Sequence, residues 1–234
     1  MTTPFPSSQP FLQFLAGWQA SLPGLSLPQA IPQPEQTAVI CVDMINGFCH
    51  FGPLSSPRVH SIIQPVVQLF QRAHSAGVKH FLLTQDTHEP DALEFSQFAP
   101  HCVRGTLEAE TIPEIRSLPF FDQMQIFEKN SIQSGLNTGL NDWLAAHPEV
   151  ETFLLVGDCT DLCIYQLAMH LRLDANARQL PRRVILPADC SQTYDLSVPL
   201  AADLGILPHD AELLQAVFLY HMALNGVEVL SSIS

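Results

Sequence analysis

Short runs of consecutive apolar residues alternate along this chain with longer segments in which apolar residues recur at helical spacing. Strands are predicted at 37–43, 79–84, 123–128, 152–156, 183–186 and 227–230, and the runs at 37–43 and 152–156 are the most continuously apolar. A run that is apolar on both faces is typical of a strand buried inside a parallel sheet. The helical spacing covers 59–76, 136–146, 164–176 and 209–224. Strands that alternate with helices predict an α/β fold of three layers (α/β/α), Rossmann-like, with a six-stranded and mainly parallel sheet.

Two regions complicate this pattern. Pro65 lies inside the helical segment 59–76, where a proline is expected to weaken or kink the helix. Residues 1–36 contain seven prolines. One short helix is expected there at 11–18, and the rest is expected to be extended. We predict an N-terminal arm (1–36) that covers the core or meets another subunit, followed by one domain (37–234) without internal repeats.

Composition narrows the classes of function. The chain has 234 residues, of which 47% are hydrophobic and 14% charged, and its formal net charge is -13. Nucleic acids and anionic membrane surfaces are bound by clustered Lys and Arg, so neither is expected as a partner. No apolar run approaches the ~20 residues of a membrane span, and no signal peptide is visible. The six cysteines lack the spacing of a disulfide framework, so reduced thiols and a cytoplasmic location are expected.

Three reactive side chains follow predicted strands. Asp43 ends the first strand, Lys129 follows the third, and Cys163 begins the helix after the fourth. Carboxyl ends of parallel strands share one edge of the sheet, where ligands bind in open α/β folds. A thiol nucleophile needs a base for its proton and a positive charge beside it, which Asp43 and Lys129 can supply. Taken singly, each has a structural reading: a buried structural thiol, a turn residue and a surface lysine.

The sequence predicts a long loop at 85–121, and loops of this length in compact domains are usually functional. It contains Asp86 and His88 two residues apart, and His101 further on. Imidazole and carboxylate groups together suit a divalent metal such as zinc, iron or manganese. The competing reading is a polar loop with scattered histidines, of which the chain has ten.

These motifs resemble the isochorismatase-like cysteine hydrolase superfamily. The resemblance rests on Asp43 in Cys-Val-Asp-Met-Ile-Asn-Gly-Phe, Lys129 in Phe-Glu-Lys-Asn, and Cys163 in Gly-Asp-Cys-Thr-Asp-Leu-Cys. The Asp-Thr-His at 86–88 and the Pro-His-Cys-Val-Arg-Gly-Thr at 100–106 are similar to the metal loop of its nicotinamidase branch. The resemblance covers roughly residues 37–230.

The resemblance implies a role for each matching residue. The implied catalytic triad is Asp43, Lys129 and Cys163, and the implied metal ligands are Asp86, His88, Glu94 and His101. The backbone N–H groups of Cys159 and Cys163 would form the oxyanion hole, with a cis peptide bond before Cys159. Phe48, Phe98 and Ile132 would line the substrate pocket. The implied cofactor is one divalent metal ion, with zinc preferred and iron or manganese as alternatives.

Two departures from the family pattern affect the pocket. The tryptophan usual between the metal-binding Asp and His is Thr87, and the aromatic residue usual three positions after the lysine is Ile132. Residues 130–136 follow the family pattern only loosely. These changes concern substrate choice rather than the fold or the triad.

The implied function is hydrolysis of nicotinamide to nicotinate and ammonia through a thioester. The implied partners are a small carboxamide substrate and further copies of the chain in a homo-oligomer. One alternative is a related amidase that acts on another carboxamide or on a ureido compound. Two others are direct attack by a metal-bound hydroxide and a binding protein that retains the fold without turnover.

Overall fold

The computed structural model describes residues 6–234, so the first five residues of the predicted arm lie outside the described part. Within it, seven strands form one parallel sheet with the order β3-β2-β1-β4-β5-β7, and β6 pairs with the end of β4. The strands are β1 (Thr37–Val42), β2 (His80–Asp86), β3 (Gln125–Lys129), β4 (Thr152–Asp158), β5 (Arg183–Pro187), β6 (Ser191–Gln192) and β7 (Glu228–Leu230). The predicted fold class is confirmed, with β6 as an additional strand of two residues.

Helices cover both faces of this sheet. They are α1 (Gln9–Ala20), α2 (Leu27–Ala30), α3 (Asn46–Cys49), α4 (Pro57–Ser61), α5 (Ile63–Ser75), α6 (Pro113–Arg116), α7 (Leu140–Ala146), α8 (Cys163–Arg178), α9 (Val198–Leu204) and α10 (Ala211–Leu224). Neighbouring residues of β1 face opposite layers: Val39 and Cys41 join a core with α5, whereas Ile40 joins a core with α7, α8 and α10. This burial on both sides explains why the central strands read as continuous apolar runs.

The order of the strands shows at which edge of the sheet the candidate reactive side chains lie. The chain runs outward from β1 through β2 to β3, then returns to β4 on the other side of β1 and runs outward again. β1 and β4 are therefore the adjacent strands at which the direction of winding reverses. Ligands in open α/β sheets bind beyond the carboxyl ends of such strands. Asp43 and the turn before Cys163 follow these two strands.

Several boundaries differ from the sequence predictions. The helix predicted at 59–76 is two helices, α4 and α5, separated at Ile62. Pro65 is the third residue of α5, where a missing N–H removes no intrahelical hydrogen bond. β2 extends two residues beyond the predicted strand, so Asp86 is its last residue rather than part of the loop. The helix predicted from residue 136 begins at Leu140, and α9 was not predicted.

The N-terminal arm packs on the domain at two places. The ring of Tyr220 in α10 contacts Phe11, Phe14 and Trp18 of α1, with ring centroids 5.2–5.8 Å apart. Leu25 pairs with Ile233 near the other end of the chain. The helix predicted at 11–18 is thus present within α1. The division into an arm and a domain stays a prediction, as does the homo-oligomer.

Two observations concern the expectations about membrane spans and about the cysteines. None of the helices among residues 6–234 has the length and apolar character required to cross a membrane. All six cysteines are buried and free.

Candidate active site

The ends of the four neighbouring strands β1 to β4 bring the chemically reactive side chains together. Asp43 follows β1 with a φ of 57°, a left-handed conformation that turns the chain at the strand end. Asp86 and Lys129 are the last residues of β2 and β3, paired in register. Cys163 is the first residue of α8, after the turn that follows β4. All four side chains are buried, and Cys163 is 5% exposed.

Lys129 is the centre of this group. Its Nζ lies 2.8 Å from Asp43 Oδ2 and 3.6 Å from Cys163 Sγ, and it also donates to Asp86 Oδ1. The other Asp43 oxygen accepts a hydrogen bond from the backbone N–H of Asp86 at 2.8 Å. A buried ammonium with two carboxylate partners is the arrangement that a fully desolvated lysine requires. The structure thus brings the three predicted triad residues together.

Burial and charge set the protonation of these groups. Burial raises the pKa of the Asp43 carboxyl to about 6, and Asp86 adds to this while Lys129 opposes it. Burial also raises the pKa of the Cys163 thiol well above its ordinary value, although Lys129 lowers it. Burial disfavours the charged form of Lys129, but Asp43 and Asp86 raise its pKa above the ordinary value. The site therefore holds a protonated thiol beside a carboxylate of increased basicity and a fixed cation.

The turn between β4 and α8 shapes the surroundings of the thiol. The Asp158–Cys159 peptide bond is cis, at the position that the resemblance implied. The Cys159 carbonyl accepts hydrogen bonds from the N–H groups of Leu162 and Ile164. The first N–H groups of a helix have no intrahelical acceptor, and α8 has no side-chain cap. The start of α8, with the Cys163 N–H, therefore favours negative charge beside the thiol.

A second group of side chains lies beside the first. Ligand atoms of Asp86, His88 and His101 all lie within 4.8 Å of one another, and all three residues are buried. Asp86 Oδ2 is 3.6 Å from His88 Nε2 and 3.8 Å from His101 Nε2. Glu94 Oε1 lies 4.0 Å from His88 Nε2, at the edge of the group. Burial raises the pKa of Asp86, but Lys129 and the two histidines outweigh it and hold that pKa below its ordinary value.

The outer contacts of the two histidines fit a metal site. His88 Nδ1 donates to Asn130 Oδ1 at 3.2 Å, and His101 Nδ1 donates to the Ala99 carbonyl at 2.8 Å. Both rings thus direct Nε2 towards Asp86. His88 Nε2 is buried and has no hydrogen-bond partner among residues 6–234. Histidines that bind metals are oriented by such contacts of the second ring nitrogen. The donor set therefore fits a divalent metal ion.

Aromatic rings surround the histidines. The Phe48 ring lies 5.6 Å from that of His101, and the Phe98 ring lies 6.3 Å away. Phe95, which sequence reasoning missed, contacts both histidines at 5.4 and 5.7 Å. Ile132 packs against the apolar cluster that contains Cys163. An open groove of about 780 Å³ is lined by residues that include Leu93, Glu94, Asn130 and Ser131.

Two further residues were missed by sequence reasoning. Asn130 follows β3 directly, and its position after Lys129 was the one available signal. Asp161 lies in the turn between β4 and α8 (residues 159–162), the nucleophile turn, named for the candidate nucleophile Cys163. Its carboxylate is hydrogen-bonded to Thr193 and His209, far along the chain. No spacing rule connects residues so far apart, so the sequence alone carries no signal for this contact.

Comparison with known proteins identifies the family of this chain. A family model described as the isochorismatase domain matches residues 37–230. The chain belongs to the isochorismatase family. The resemblance inferred from the motifs is confirmed, and the family match covers β1 to β7.

Individual relatives agree with this membership. Nicotinamidase 1 of Arabidopsis thaliana is 28% identical over 223 residues, which cover 88% of this chain and 90% of the relative. A solved pyrazinamidase of Pyrococcus horikoshii in complex with zinc aligns with a TM-score of 0.65 at 21% identity, over 83% of this chain and 98% of that one. N-carbamoylsarcosine amidase of Thermoplasma acidophilum aligns with a TM-score of 0.62 at 23% identity, over 83% and 95%. The two structures show that the fold is shared.

Proposed function

We propose that this member of the isochorismatase family is a metal-dependent cysteine amidohydrolase whose substrate is nicotinamide. The amide-hydrolase class expected from the sequence agrees with the family and with the nicotinamidase name of its relative. The observation that carries the proposal is the position of Lys129, whose Nζ contacts both Asp43 and Cys163 beside the buried Asp86, His88 and His101. The proposal assigns a step to each of these groups.

Asp43 takes the proton of the Cys163 thiol as Sγ attacks the carboxamide carbon. Lys129 stabilises the thiolate as it forms, because its charge is fixed and desolvated. N–H groups of Cys159 and Cys163 stabilise the oxyanion, and one such donor is typically worth ~3 kcal/mol. Protonated Asp43 then gives its proton to the leaving ammonia. Asp43 activates the water that hydrolyses the thioester, which frees Cys163.

Asp86, His88 and His101, with Glu94 at their edge, would hold the metal ion. Zinc is the ion that we propose, since a related pyrazinamidase binds it and two imidazoles with carboxylates suit it. When bound, the metal supplies a Lewis acid that can accept a pyridine nitrogen and orient the ring. Phe48, Phe98 and Ile132 would then contact the faces of the substrate ring.

A direct test measures ammonia release from nicotinamide, pyrazinamide, benzamide and N-carbamoylsarcosine by the metal-loaded protein. The proposal predicts turnover of the first two and slow turnover of benzamide, which lacks a ring nitrogen. A Cys163→Ala variant is the matched control and should be inactive. Turnover confined to the ureido compound would instead support the alternative, which is favoured by the unusual Thr87 and Ile132 and by the fold shared with N-carbamoylsarcosine amidase.

The two remaining alternatives have separate readouts. Activity that survives alkylation of Cys163 would favour attack by a metal-bound hydroxide over the thioester route. Detection of an acylated Cys163 peptide by mass spectrometry after acid quenching would exclude that route. Tight binding of the panel compounds without any ammonia release would show a binding protein.

A further inference from the structure

Asp161, two residues before the nucleophile, has a buried carboxylate held by a distant segment. Its Oδ1 accepts a hydrogen bond from the Thr193 hydroxyl at 2.5 Å, and its Oδ2 lies 2.7 Å from His209 Nε2. Asp161 is 6% exposed and His209 is 8% exposed. Both carboxylate oxygens thus have partners, and both partners come from outside the nucleophile turn.

The contacts of His209 favour the charged form of its ring. Nε2 faces the Asp161 carboxylate, and Nδ1 lies 2.9 Å from the Tyr194 carbonyl oxygen. Both groups are acceptors, and a neutral imidazole has only one N–H to donate, so the doubly protonated ring alone satisfies both contacts. The Tyr194 ring stacks on His209 with centroids 3.9 Å apart, a contact that favours a cation.

The charged and titratable groups around His209 agree with this assignment. Burial lowers its pKa, but Asp161 and Asp195, together with the Tyr194 carbonyl, raise it above the ordinary value. The position of the ring is fixed by the backbone, since His209 and Leu196 exchange two hydrogen bonds of 2.8 Å. His209 is therefore a rigidly placed side chain next to the nucleophile turn, with a charged form that its neighbours stabilise.

Asp161 lies just before α8, so the ion pair affects which groups reach the N–H groups at the start of this helix. A carboxylate just before a helix is normally attracted to its free N–H groups and to the positive end of its dipole. Here the residue that precedes α8 is Leu162, and no side chain caps the helix. Thr193 and His209 instead bind the Asp161 carboxylate, so that it does not cap the start of α8. The Cys163 N–H at the start of α8 consequently stays available for the oxyanion of the substrate, while the Ile164 N–H donates to the Cys159 carbonyl.

Two hydrogen bonds between uncharged groups also join the nucleophile turn to β6. The hydroxyl groups of Thr160 and Ser191 lie 2.6 Å apart, and the Thr160 N–H donates to the Gln192 carbonyl at 3.2 Å. These hydrogen bonds of Thr160 fix the backbone of the turn independently of His209. Loss of the ion pair should therefore change the charge near Cys163 more than it changes the fold.

We propose that His209 is a positioning residue for the nucleophile turn, which acts through Asp161 to keep a carboxylate away from the start of α8 and to hold Cys163 in its reactive arrangement. The kinetic part of this proposal rests on the proposed amide hydrolysis. Reactivity of the Cys163 thiol can be measured without any amide substrate.

The first experiment compares kcat and KM of the metal-loaded wild type with His209→Gln, Asp161→Asn and the double variant. In His209→Gln we expect kcat at pH 6.5 to fall at least tenfold, with KM within threefold. The double variant leaves no unpaired buried charge, so its kcat should exceed that of His209→Gln at least threefold. His221→Gln, an exposed histidine of α10, is the matched control and should behave as wild type.

The pH profile separates positioning from a merely structural role. Wild-type kcat should decline as pH rises through the pKa of His209, because the neutral ring can donate only one hydrogen bond. This decline should be absent in His209→Gln and should move to lower pH in Asp161→Asn, where the carboxylate that raises the pKa is gone. If His209→Gln fails to fold, the shift in the nearly isosteric Asp161→Asn carries the test.

The second experiment measures the rate at which iodoacetamide alkylates Cys163, followed by peptide mass spectrometry from pH 5.5 to 9. The variants should change this rate with the same pH dependence, even if no amide in the panel is hydrolysed; that result would leave the positioning role intact and reject the proposed function alone. Wild-type profiles in both variants, for alkylation and for any turnover, would overturn the positioning role. So would a loss of kcat that is equal at every pH and additive in the double variant.

Discussion

Asp43 Oδ1 accepts a hydrogen bond from the backbone N–H of Asp86 at 2.8 Å, so the candidate general base and the first candidate metal ligand are joined directly. Lys129 reinforces this link, since its ammonium group contacts both carboxylates. The acid-base group and the metal group therefore form one electrostatic unit at the ends of β1, β2 and β3. A change of charge in one part is expected to alter the other.

Replacement of Cys163 by Ala should reduce kcat for the preferred amide at least ~10³-fold, because no other group in the site supplies the nucleophile. The same variant should retain its metal, since Cys163 is not one of the Asp86, His88 and His101 ligands. Turnover and metal content by atomic emission measure the two effects. Cys190→Ala, a buried thiol on the other face of the sheet, should keep near-normal kcat. Substantial activity in Cys163→Ala would contradict the covalent route.

Replacement of His101 by Ala should abolish stoichiometric metal binding, because a buried ligand is lost from a set of three. Metal that binds only the folded state stabilises it by about 2.7 kcal/mol at a hundredfold excess over Kd. For a domain of this size that corresponds to a rise of about 5–10 °C in Tm. Calorimetry with and without zinc should show the rise in wild type and in His221→Ala, and no rise in His101→Ala. An equal rise in all three proteins would place the metal elsewhere.

Replacement of Asn130 by Ala should weaken metal binding about 10–100-fold without removing a ligand, since Asn130 Oδ1 orients the His88 ring. Competition with a chromophoric chelator measures the change in Kd. Asn176→Ala, on the exposed face of α8, is the matched control. Unchanged Kd in Asn130→Ala would show that the His88 ring is oriented without this contact.

Replacement of Gly157 by Ala should prevent normal folding or destabilise the protein by more than ~3 kcal/mol. Gly157 has a φ of 116°, and an added Cβ would lie 2.0 Å from the Val42 carbonyl oxygen. The clash would force apart β1 and β4, the two strands that position Asp43 and the nucleophile turn. Gly17→Ala is the matched control: its Cβ meets nothing within 4 Å, and alanine in a helix is favoured by about 1 kcal/mol. Urea unfolding of both variants measures the difference, and equal stabilities would contradict the predicted clash.

Stability should depend on pH through the ion pair of His209 and Asp161. The folded-state pKa of His209 is raised, so the pair contributes fully below about 6.5, the value of an unfolded histidine. Its contribution is lost as pH rises through the folded-state pKa. His209→Gln should therefore lower the free energy of unfolding by about 2 kcal/mol at pH 5.5, and by clearly less at pH 9. A loss that grows with pH would have the wrong sign for this pair.

The parts of the fold that a local pattern encodes could be predicted from sequence. The runs 38–42 in β1 and 153–156 in β4 are apolar because both faces of these strands are buried, and that pattern is visible without a structure. β6 consists of the polar residues Ser191 and Gln192, and two residues carry no periodicity. α9 was missed because its exposed face carries apolar side chains, including Val198 and Leu204, which conceal helical amphipathicity.

The candidate site likewise contains residues that the sequence could identify and contacts that it could not. Asp43, Lys129 and Cys163 could be singled out because each lies next to a predicted strand, and strand ends in a parallel sheet share one edge. Asp161 and His209 could not be paired from sequence, since their contact depends on the path of residues 193–209 over the sheet. The contact between Lys129 and Asp86 likewise depends on the register of β2 and β3.

The order of the strands has a consequence for synthesis of the chain on the ribosome. β1 pairs with β2 early, but its other edge waits for β4, which is completed more than a hundred residues later. At about 5–20 residues per second, that edge stays unpaired for roughly 6–20 s. An apolar strand with a free edge is a site for aggregation. The nascent chain is therefore most in need of a chaperone while the segment between β2 and β4 is translated.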